Sequence, residues 1–140
     1  MSPAVPRRVL VDANVLLDVL TEDPQWYGWS AGQLDACAAH AELCINPLVY
    51  AEVSIGFERI EDLDDALSRD SFTRLELPWD AGFLAGKAYL RYRRAKGART
   101  SPLPDFYIGA HAAIERMILL TRDARRYRTY FPTLEIVSPP

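Results

Sequence analysis

Four acidic side chains stand at positions where a carboxylate could take part in chemistry. Asp12 directly follows a short apolar run, and Asp123 comes shortly after another. Asp105 opens a helical segment behind a proline-containing loop. Glu52 lies in the apolar segment 48–53, where burying a carboxylate is costly. If the apolar runs are strands of a parallel sheet, three of these acids occur at its carboxyl end, where such sheets bind ligands.

Each acid also has a purely structural interpretation. Asp12, Asp105 and Asp123 all lie near predicted helix starts, where a carboxylate caps free N–H groups and meets a favourable helix dipole. Glu52 could lie at the solvated edge of its helix. For any one acid the structural role is the simpler interpretation, but the combination of four is harder to explain in that way.

Converging carboxylates would need a counter-charge. At a separation of about 4 Å and an effective dielectric constant of about 20, each pair repels by about 4 kcal/mol. A set of oxygen ligands favours Mg²⁺ or Mn²⁺ over zinc, and His40 and His111 match no zinc spacing. We expect both histidines to be ordinary helix residues. A divalent ion held by carboxylates suits phosphate-ester hydrolysis, because it polarises a phosphoryl oxygen and activates a bound water.

The charge is distributed unevenly along the chain. Residues 12–86 hold 15 acidic and 3 basic side chains, a balance of −12, whereas residues 87–128 hold 11 basic and 3 acidic ones, a balance of +8. In the basic part, arginines alternate with tyrosines around 89–99 and 122–130. Arginine pairs with phosphates, and tyrosine can stack on an unpaired base. The alternative is that the tyrosines belong to the core and the arginines form a solvated face.

Apolar runs alternate with helical segments, which defines the elements that must position the acids. We predict strands at 9–11, 43–45, 74–77, 117–120 and 134–137. We predict helices at 15–20, 26–41, 47–57, within 58–65, and at 79–96, 105–116 and 123–130, with Asn46 as a cap and Gly97 as a terminator. Strands separated by helices require right-handed crossovers. The expected fold class is therefore α/β, a three-layer α/β/α sandwich with a mainly parallel central sheet of four to five strands.

Length and composition are those of one globular domain. The chain has 140 residues, of which 49% are hydrophobic and 25% charged, and this excludes a disordered or collagen-like chain. We expect a single domain over 1–140, with residues 1–7 and 138–140 as loose ends. No apolar run is long enough to cross a bilayer and the N-terminus is not a secretory signal, so we expect a cytoplasmic protein. Cys37 and Cys44 are expected to be reduced, packed thiols.

Four segments carry a family resemblance. They are Val9-Leu-Val-Asp12-Ala-Asn14-Val-Leu-Leu-Asp18, Asn46-Pro-Leu-Val-Tyr-Ala-Glu52, Leu103-Pro-Asp105-Phe-Tyr-Ile-Gly-Ala-His-Ala, and Leu119-Leu-Thr121-Arg-Asp123 with Tyr130-Phe131. Together, and in this order, they resemble the motifs of the PIN-domain nucleases, and more narrowly those of the VapC-type toxins of prokaryotic toxin–antitoxin pairs. No single segment is specific, but the four span nearly the whole chain.

The resemblance implies a function and a set of site residues. Its catalytic and metal-binding residues would be Asp12, Glu52, Asp105 and Asp123. Asn14 and Thr121 would orient ligands or substrate. The implied activity is that of an endoribonuclease dependent on Mg²⁺ or Mn²⁺. The fold it implies is the same α/β/α sandwich.

The resemblance also implies partners, and it leaves some residues open. Such toxins are usually homodimers, neutralised by a VapB-like antitoxin whose tail enters the catalytic groove. Arg122 departs from the small polar residue of many relatives, which puts a substrate contact there in doubt. Asp18 lies six residues after Asp12 and is not counted as a ligand. Trp26 and Trp29 are either exposed anchors for a partner or a packed pair.

Other proteins with similar sequence patterns fit less well. A phosphoacceptor receiver domain needs an aspartate after its central strand and a late lysine, whereas strand 43–45 is followed by Asn46 and the only lysines are Lys87 and Lys96. A haloacid-dehalogenase-type phosphatase needs a second aspartate where Asn14 stands. The serious alternative is a non-catalytic PIN-like module that binds RNA or a protein, and the presence of all four acids counts against it.

Overall fold

A computed structural model describes residues 7–96 and 103–140 of the chain. Its strands are β1 (Arg7–Val11), β2 (Ala41–Ile45), β3 (Thr73–Arg74), β4 (Ile118–Leu120) and β5 (Ile136–Val137). Its helices are α1 (Ala13–Leu20), α2 (Tyr27–Ala38), α3 (Pro47–Ser54), α4 (Ile60–Ala66), α5 (Trp79–Lys96), α6 (Leu103–Ile114) and α7 (Arg125–Tyr130). The predicted helix end at Gly97 lies outside the described residues.

The strands form one parallel sheet in the order β3-β2-β1-β4-β5. The central strand β1 pairs with β2, where Val9 lies opposite Leu43, and with β4, where Leu10 lies opposite Leu119. The outer pairs, β2 with β3 and β4 with β5, are also parallel. The predicted α/β sandwich with a parallel central sheet is confirmed.

The strand order places a topological switch point between β1 and β4. The chain passes from β1 to β2 and β3 on one side, and from β4 to β5 on the other. Right-handed crossovers in opposite directions put α1–α4 on one face of the sheet and α5–α7 on the other. Neighbouring helices pack within these layers, α1 against α2 and α3, and α5 against α6. A ligand of such a sheet binds beyond the carboxyl ends of β1 and β4, where the connections diverge.

The core lies on both faces of the sheet. Val9, Leu10 and Val11 of β1 and Leu119 and Leu120 of β4 are almost completely buried. A strand covered on both faces has no solvent side, which explains why these runs are continuously apolar rather than alternating. The two cysteines are free thiols as predicted, Cys44 buried and Cys37 half-buried. None of the helices in the described ranges is long and apolar enough to span a membrane.

Some element ends differ from the predicted ones. The second helix ends at Ala38 rather than 41, because Ala41 already pairs in β2. The helix that carries Asp105 begins at Leu103, so this acid lies in the first turn. The same helix stops at Ile114, because Arg116 adopts a left-handed backbone conformation (φ 54°) that turns the chain into β4.

Candidate functional site

A small polar pocket opens at the carboxyl ends of β1 and β4. Its volume is about 100 Å³, and it is lined by Asp12, Asn14, Glu52, Asp105, Asp123, Arg126 and Tyr127. The four predicted acids come from four parts of the chain and all face this one pocket. Asn14 lines it as well, whereas Thr121 lies next to it.

Asp12 is the most deeply buried of the four acids, with 6% of its surface exposed. Its Oδ1 accepts a hydrogen bond from the amide of Ala13 (2.8 Å), so Asp12 caps α1 as well as facing the pocket. Its Oδ2 accepts bonds from the hydroxyls of Thr121 (2.9 Å) and Tyr127 (3.1 Å). Burial raises the pKa of Asp12, and these two hydroxyl groups partly oppose the rise.

Glu52 reaches the pocket from α3 and is half-buried. Burial, reinforced by the negative charges of Asp12 and Asp105, raises the pKa of Glu52 to about 7. Besides burial, the charges of two of the four acids therefore act on the third. This interaction is the electrostatic sign of the convergence that the sequence predicts.

The start of α3 is fixed from the other face of the sheet. Asn46 caps the helix as predicted, its Oδ1 accepting from the amide of Val49 (2.9 Å). Its Nδ2 lies 3.0 Å from Nδ1 of His111 on α6. Burial lowers the pKa of His111, which favours the neutral ring and lets its Nδ1 accept from Asn46. His111 is thus a buried structural residue that positions the helix carrying Glu52.

Asp105 is paired with an arginine. Its Oδ2 lies 3.0 Å from Nη1 of Arg126, and both side chains are partly exposed. Burial raises the pKa of Asp105, the positive charge of Arg126 opposes this, and Asp123 adds to it. Asp123 itself is exposed, and it is not the cap residue of α7, which is Ala124, a residue whose side chain accepts no hydrogen bond from the helix amides. Capping therefore does not explain Asp123.

Asn14 and Thr121 connect α1 to the turn after β4. Nδ2 of Asn14 donates to Oγ1 of Thr121 (3.3 Å), which donates to Asp12. Oδ1 of Asn14 accepts from the amide of Arg122 (3.2 Å), and the amide of Asp123 donates to Oγ1 of Thr121 (3.2 Å). These hydrogen bonds fix the position of Asp12 relative to the turn that bears Asp123.

Asp18 and Arg122 form a second connection between the same segments. Nε and Nη2 of Arg122 donate to the two carboxylate oxygens of Asp18 at 2.8 and 3.0 Å. Asp18 is 2% exposed and also accepts from the hydroxyl of Ser30 (2.8 Å). Asp18 does not line the pocket. The charge of Arg122 is paired with Asp18, so its side chain holds the turn after β4 against α1.

The tryptophans of the N-terminal half form a packed pair. Their rings lie 6.3 Å apart edge-to-face, and both are only partly exposed. The guanidinium of Arg122 lies 5.3 Å from the ring of Trp26. This arrangement favours the packed-pair interpretation of Trp26 and Trp29.

The tyrosines of the basic segment belong mainly to the core. Tyr92 and Tyr127 are 6% and 4% exposed. Gly109 of α6 permits this packing, because a Cβ there would lie 2.9 Å from Tyr127 and 2.6 Å from Phe131. For these two tyrosines the core alternative is therefore confirmed. Base stacking on them is excluded in this conformation.

Arg126 and Tyr127 are pocket residues that our site prediction left out. A signal was present in the sequence, because they follow Asp123 by three and four residues and so share its side of a helical turn. Their roles depend on what Asp12 and Asp105 contact, and spacing alone does not show this.

The donor set of the pocket fits a hard divalent cation. All four acids offer oxygen only, and burial and mutual repulsion raise the pKa of Asp12, Glu52 and Asp105. As they stand, no three His, Cys, Asp or Glu side chains within 7–96 and 103–140 come close enough to hold an ion. To bind an ion, the carboxylates must move closer together. In this structure Asp105 is paired with Arg126 instead.

Several solved structures share this fold. VapBC2 from Rickettsia felis, bound to a DNA fragment from its promoter, matches with a TM-score of 0.72 at 18% identity over 95% of this chain and 99% of that one. FitAcB from Neisseria gonorrhoeae matches with 0.66 at 18% identity over 91% and 95%. VapBC-5 from Mycobacterium tuberculosis matches with 0.56 at 17% identity over 95% and 98%.

Sequence comparison gives the family directly. No curated protein matches the chain. The PIN domain family matches it from residue 9 to residue 132, a range that includes all four acids, most of β1 and the whole of β2, β3 and β4. The chain belongs to the PIN domain family.

Proposed function

We propose that this chain is the VapC-type toxin of a type II toxin–antitoxin pair, an endoribonuclease that hydrolyses RNA with Mg²⁺ or Mn²⁺. The observation that carries the proposal is the meeting of Asp12, Glu52, Asp105 and Asp123 at one pocket on the switch point of a parallel sheet. A phosphate group would be repelled by such a pocket unless a cation shared it. The unit that acts is the single PIN-like domain predicted over 1–140.

The four carboxylates would hold the ion, and the surrounding residues fix their directions. When bound, a divalent ion polarises a phosphoryl oxygen and lowers the pKa of a water bound to it. Both carboxylate oxygens of Asp12 are already oriented by hydrogen bonds from Ala13, Thr121 and Tyr127. Glu52, with a pKa of about 7, gives up its proton readily once a cation is near. Asn14 keeps the turn bearing Asp123 beside them.

The basic part of the surface supports binding of a nucleic acid, and the choice of RNA follows the resemblance to the VapC-type toxins. Arg91, Arg93 and Arg94 are exposed on α5, and Arg128 is exposed on α7. These positive charges can contact a phosphate backbone, although the protein as a whole is acidic. Cleavage of cellular RNA agrees with the cytoplasmic location expected from the sequence.

The partners of the proposed toxin are a VapB-like antitoxin and a second copy of the chain. The support is that the solved structures sharing this fold include VapBC complexes and FitAcB. The surface also offers large apolar side chains to a protein partner, with Ile55 86%, Trp79 94% and Phe83 72% exposed.

Cleavage of an RNA oligonucleotide by variants of the site tests the proposed function. Asp12→Asn and Asp105→Asn should keep the fold and lower the cleavage rate by about 100-fold or more, because each removes a charge that holds the ion. Asp35→Asn is the matched control, since Asp35 is exposed on α2 and away from the pocket. A chelator should abolish cleavage by the wild type, and added Mg²⁺ or Mn²⁺ should restore it.

Two results would contradict the proposal. Cleavage that continues in excess chelator would exclude the role of the metal. Tight RNA binding without cleavage at any Mg²⁺ or Mn²⁺ concentration would favour the alternative, a non-catalytic PIN-like module.

A further inference from the structure

The pocket contains a charge that the family resemblance does not account for. Among the described residues that line it, Arg126 carries the single positive charge and faces four carboxylates. It bonds Asp105 at 3.0 Å. Asp12 and Glu52 have no arginine or lysine among their hydrogen-bond partners in the described part of the chain.

The guanidinium of Arg126 lies over two aromatic rings and is partly exposed. It lies 5.8 Å from the centre of the Tyr92 ring and 5.9 Å from that of Phe106. The two rings stabilise the guanidinium by cation–π contacts, and the Arg126 side chain is 31% exposed. A guanidinium stacked on aromatic rings can rotate from a carboxylate towards the mouth of the pocket and stay in contact with the rings.

We propose that Arg126 is a resident counter-ion, which competes with the divalent ion for Asp105 and then contacts a phosphate of the RNA. This inference rests on the proposed function. While Arg126 pairs with Asp105, it neutralises part of the pocket and reduces its attraction for a second cation. A divalent ion bound to Asp105 would repel the guanidinium of Arg126. The guanidinium would then be available to a phosphate of the RNA. Its planar donors suit two phosphate oxygens.

The neighbouring arginine provides a matched control. Arg125 lies next to Arg126 on α7, is exposed and does not line the pocket. Arg126→Gln and Arg125→Gln remove the same charge from the same helix, so a general change in net charge affects both variants equally. Arg126→Lys keeps the charge and removes the planar fork.

Two measurements on the purified full chain test the proposal. In calorimetric titration with Mn²⁺ alone, we expect Arg126→Gln to bind Mn²⁺ about five- to tenfold more tightly than the wild type, because a cation no longer competes for Asp105. Arg125→Gln and Arg126→Lys should stay within about twofold of the wild type. At saturating Mn²⁺, both Arg126 variants should raise the KM for an RNA oligonucleotide by about fivefold or more, whereas Arg125→Gln should not.

The outcomes separate this inference from the proposed function. Equal Mn²⁺ affinity in the wild type and Arg126→Gln would overturn the counter-ion role, while cleavage by the wild type would leave the proposed function standing. An unchanged KM in both Arg126 variants would overturn the phosphate contact. Absence of both Mn²⁺ binding and cleavage in the wild type and all variants would overturn the proposed function and this inference together.

Discussion

At the scale of single residues, the carboxylate of Asp12 combines a structural role with the chemical role that we propose for it. Asp12 caps α1 with one oxygen and faces the pocket while its other oxygen accepts from Thr121 and Tyr127. Capping of α1 by Asp12 is therefore compatible with the chemical role that we propose for this acid. A carboxylate that is held by three donors keeps its orientation when an ion arrives.

The raised pKa of Glu52 gives a pH dependence of stability. Its pKa of about 7 lies above the ordinary 4.5, so the folded protein keeps a proton that the unfolded chain loses between these values. The contribution of Glu52 to the stability of the metal-free protein should fall as pH rises through this window, by up to about 2 kcal/mol after allowance for solvent screening. His111, whose pKa is lowered by burial, contributes in the opposite direction. Thermal unfolding in chelator from pH 4.5 to 8, compared between the wild type and a Glu52 variant, measures the part that belongs to Glu52.

Two variants isolate the contribution of Glu52. Glu52→Gln should show a smaller loss of stability with pH, because the group that resists ionisation is gone. Glu58→Gln, at an exposed position, should behave like the wild type. Identical pH dependence in the wild type and Glu52→Gln would show that neither burial nor the charges of Asp12 and Asp105 raise the pKa of Glu52.

At the scale of elements, α1 and the turn after β4 act as one unit. Asn14 and Asp18 lie one helical turn apart on α1, and both bind this turn, Asn14 at Thr121 and Asp18 at Arg122. The sequence predicted these two elements well, because their apolar runs and helix starts are local signals. It did not predict the pairing of Asp18 with Arg122, because the two residues are 104 positions apart.

Breaking this pair should loosen the site without removing an acid from it. Asp18→Asn should destabilise the fold by about 1–3 kcal/mol, because Arg122 keeps its charge and loses its partner in a partly buried place. Because the turn bearing Asp123 is then less restrained, the cleavage rate should fall by about tenfold. Denaturant unfolding and RNA cleavage measure the two effects, with Asp35→Asn as control. Cleavage at the wild-type rate would show that the turn needs no such restraint.

At the scale of the whole molecule, charge is separated along the chain. Most acidic side chains lie in 12–86 and most basic ones in 87–128, and the pocket lies where the two parts meet. The composition shows the separation, but only the fold shows that the acids of both parts share a pocket. The sandwich, the order of its helices and the four acids were all predictable from local patterns and motif resemblance. The Arg126–Asp105 pair and the burial of Tyr127 depend on side-chain packing between α6 and α7, which leaves no local pattern.

The basic surface predicts a salt-dependent affinity for RNA. Binding of a single-stranded oligonucleotide to Asp12→Asn protein in chelator should weaken with salt, with a log–log slope of about −0.7 per phosphate contact. Adding Arg93→Gln and Arg94→Gln, both at exposed positions of α5, should make the slope shallower by about one contact or more. Arg59→Gln, in the acidic part, should leave the slope unchanged. Equal slopes in all variants would place the RNA elsewhere on the surface.

We propose that the four carboxylates together bind a divalent ion. A crystal of the protein soaked in Mn²⁺, with anomalous scattering recorded at the manganese edge, shows whether they do. We expect an anomalous peak within about 2.5 Å of carboxylate oxygens from Asp12 and at least one of the other three acids, with Asp105 turned away from Arg126. A fully soaked crystal without an anomalous peak in this pocket would show that the four acids do not bind a divalent ion.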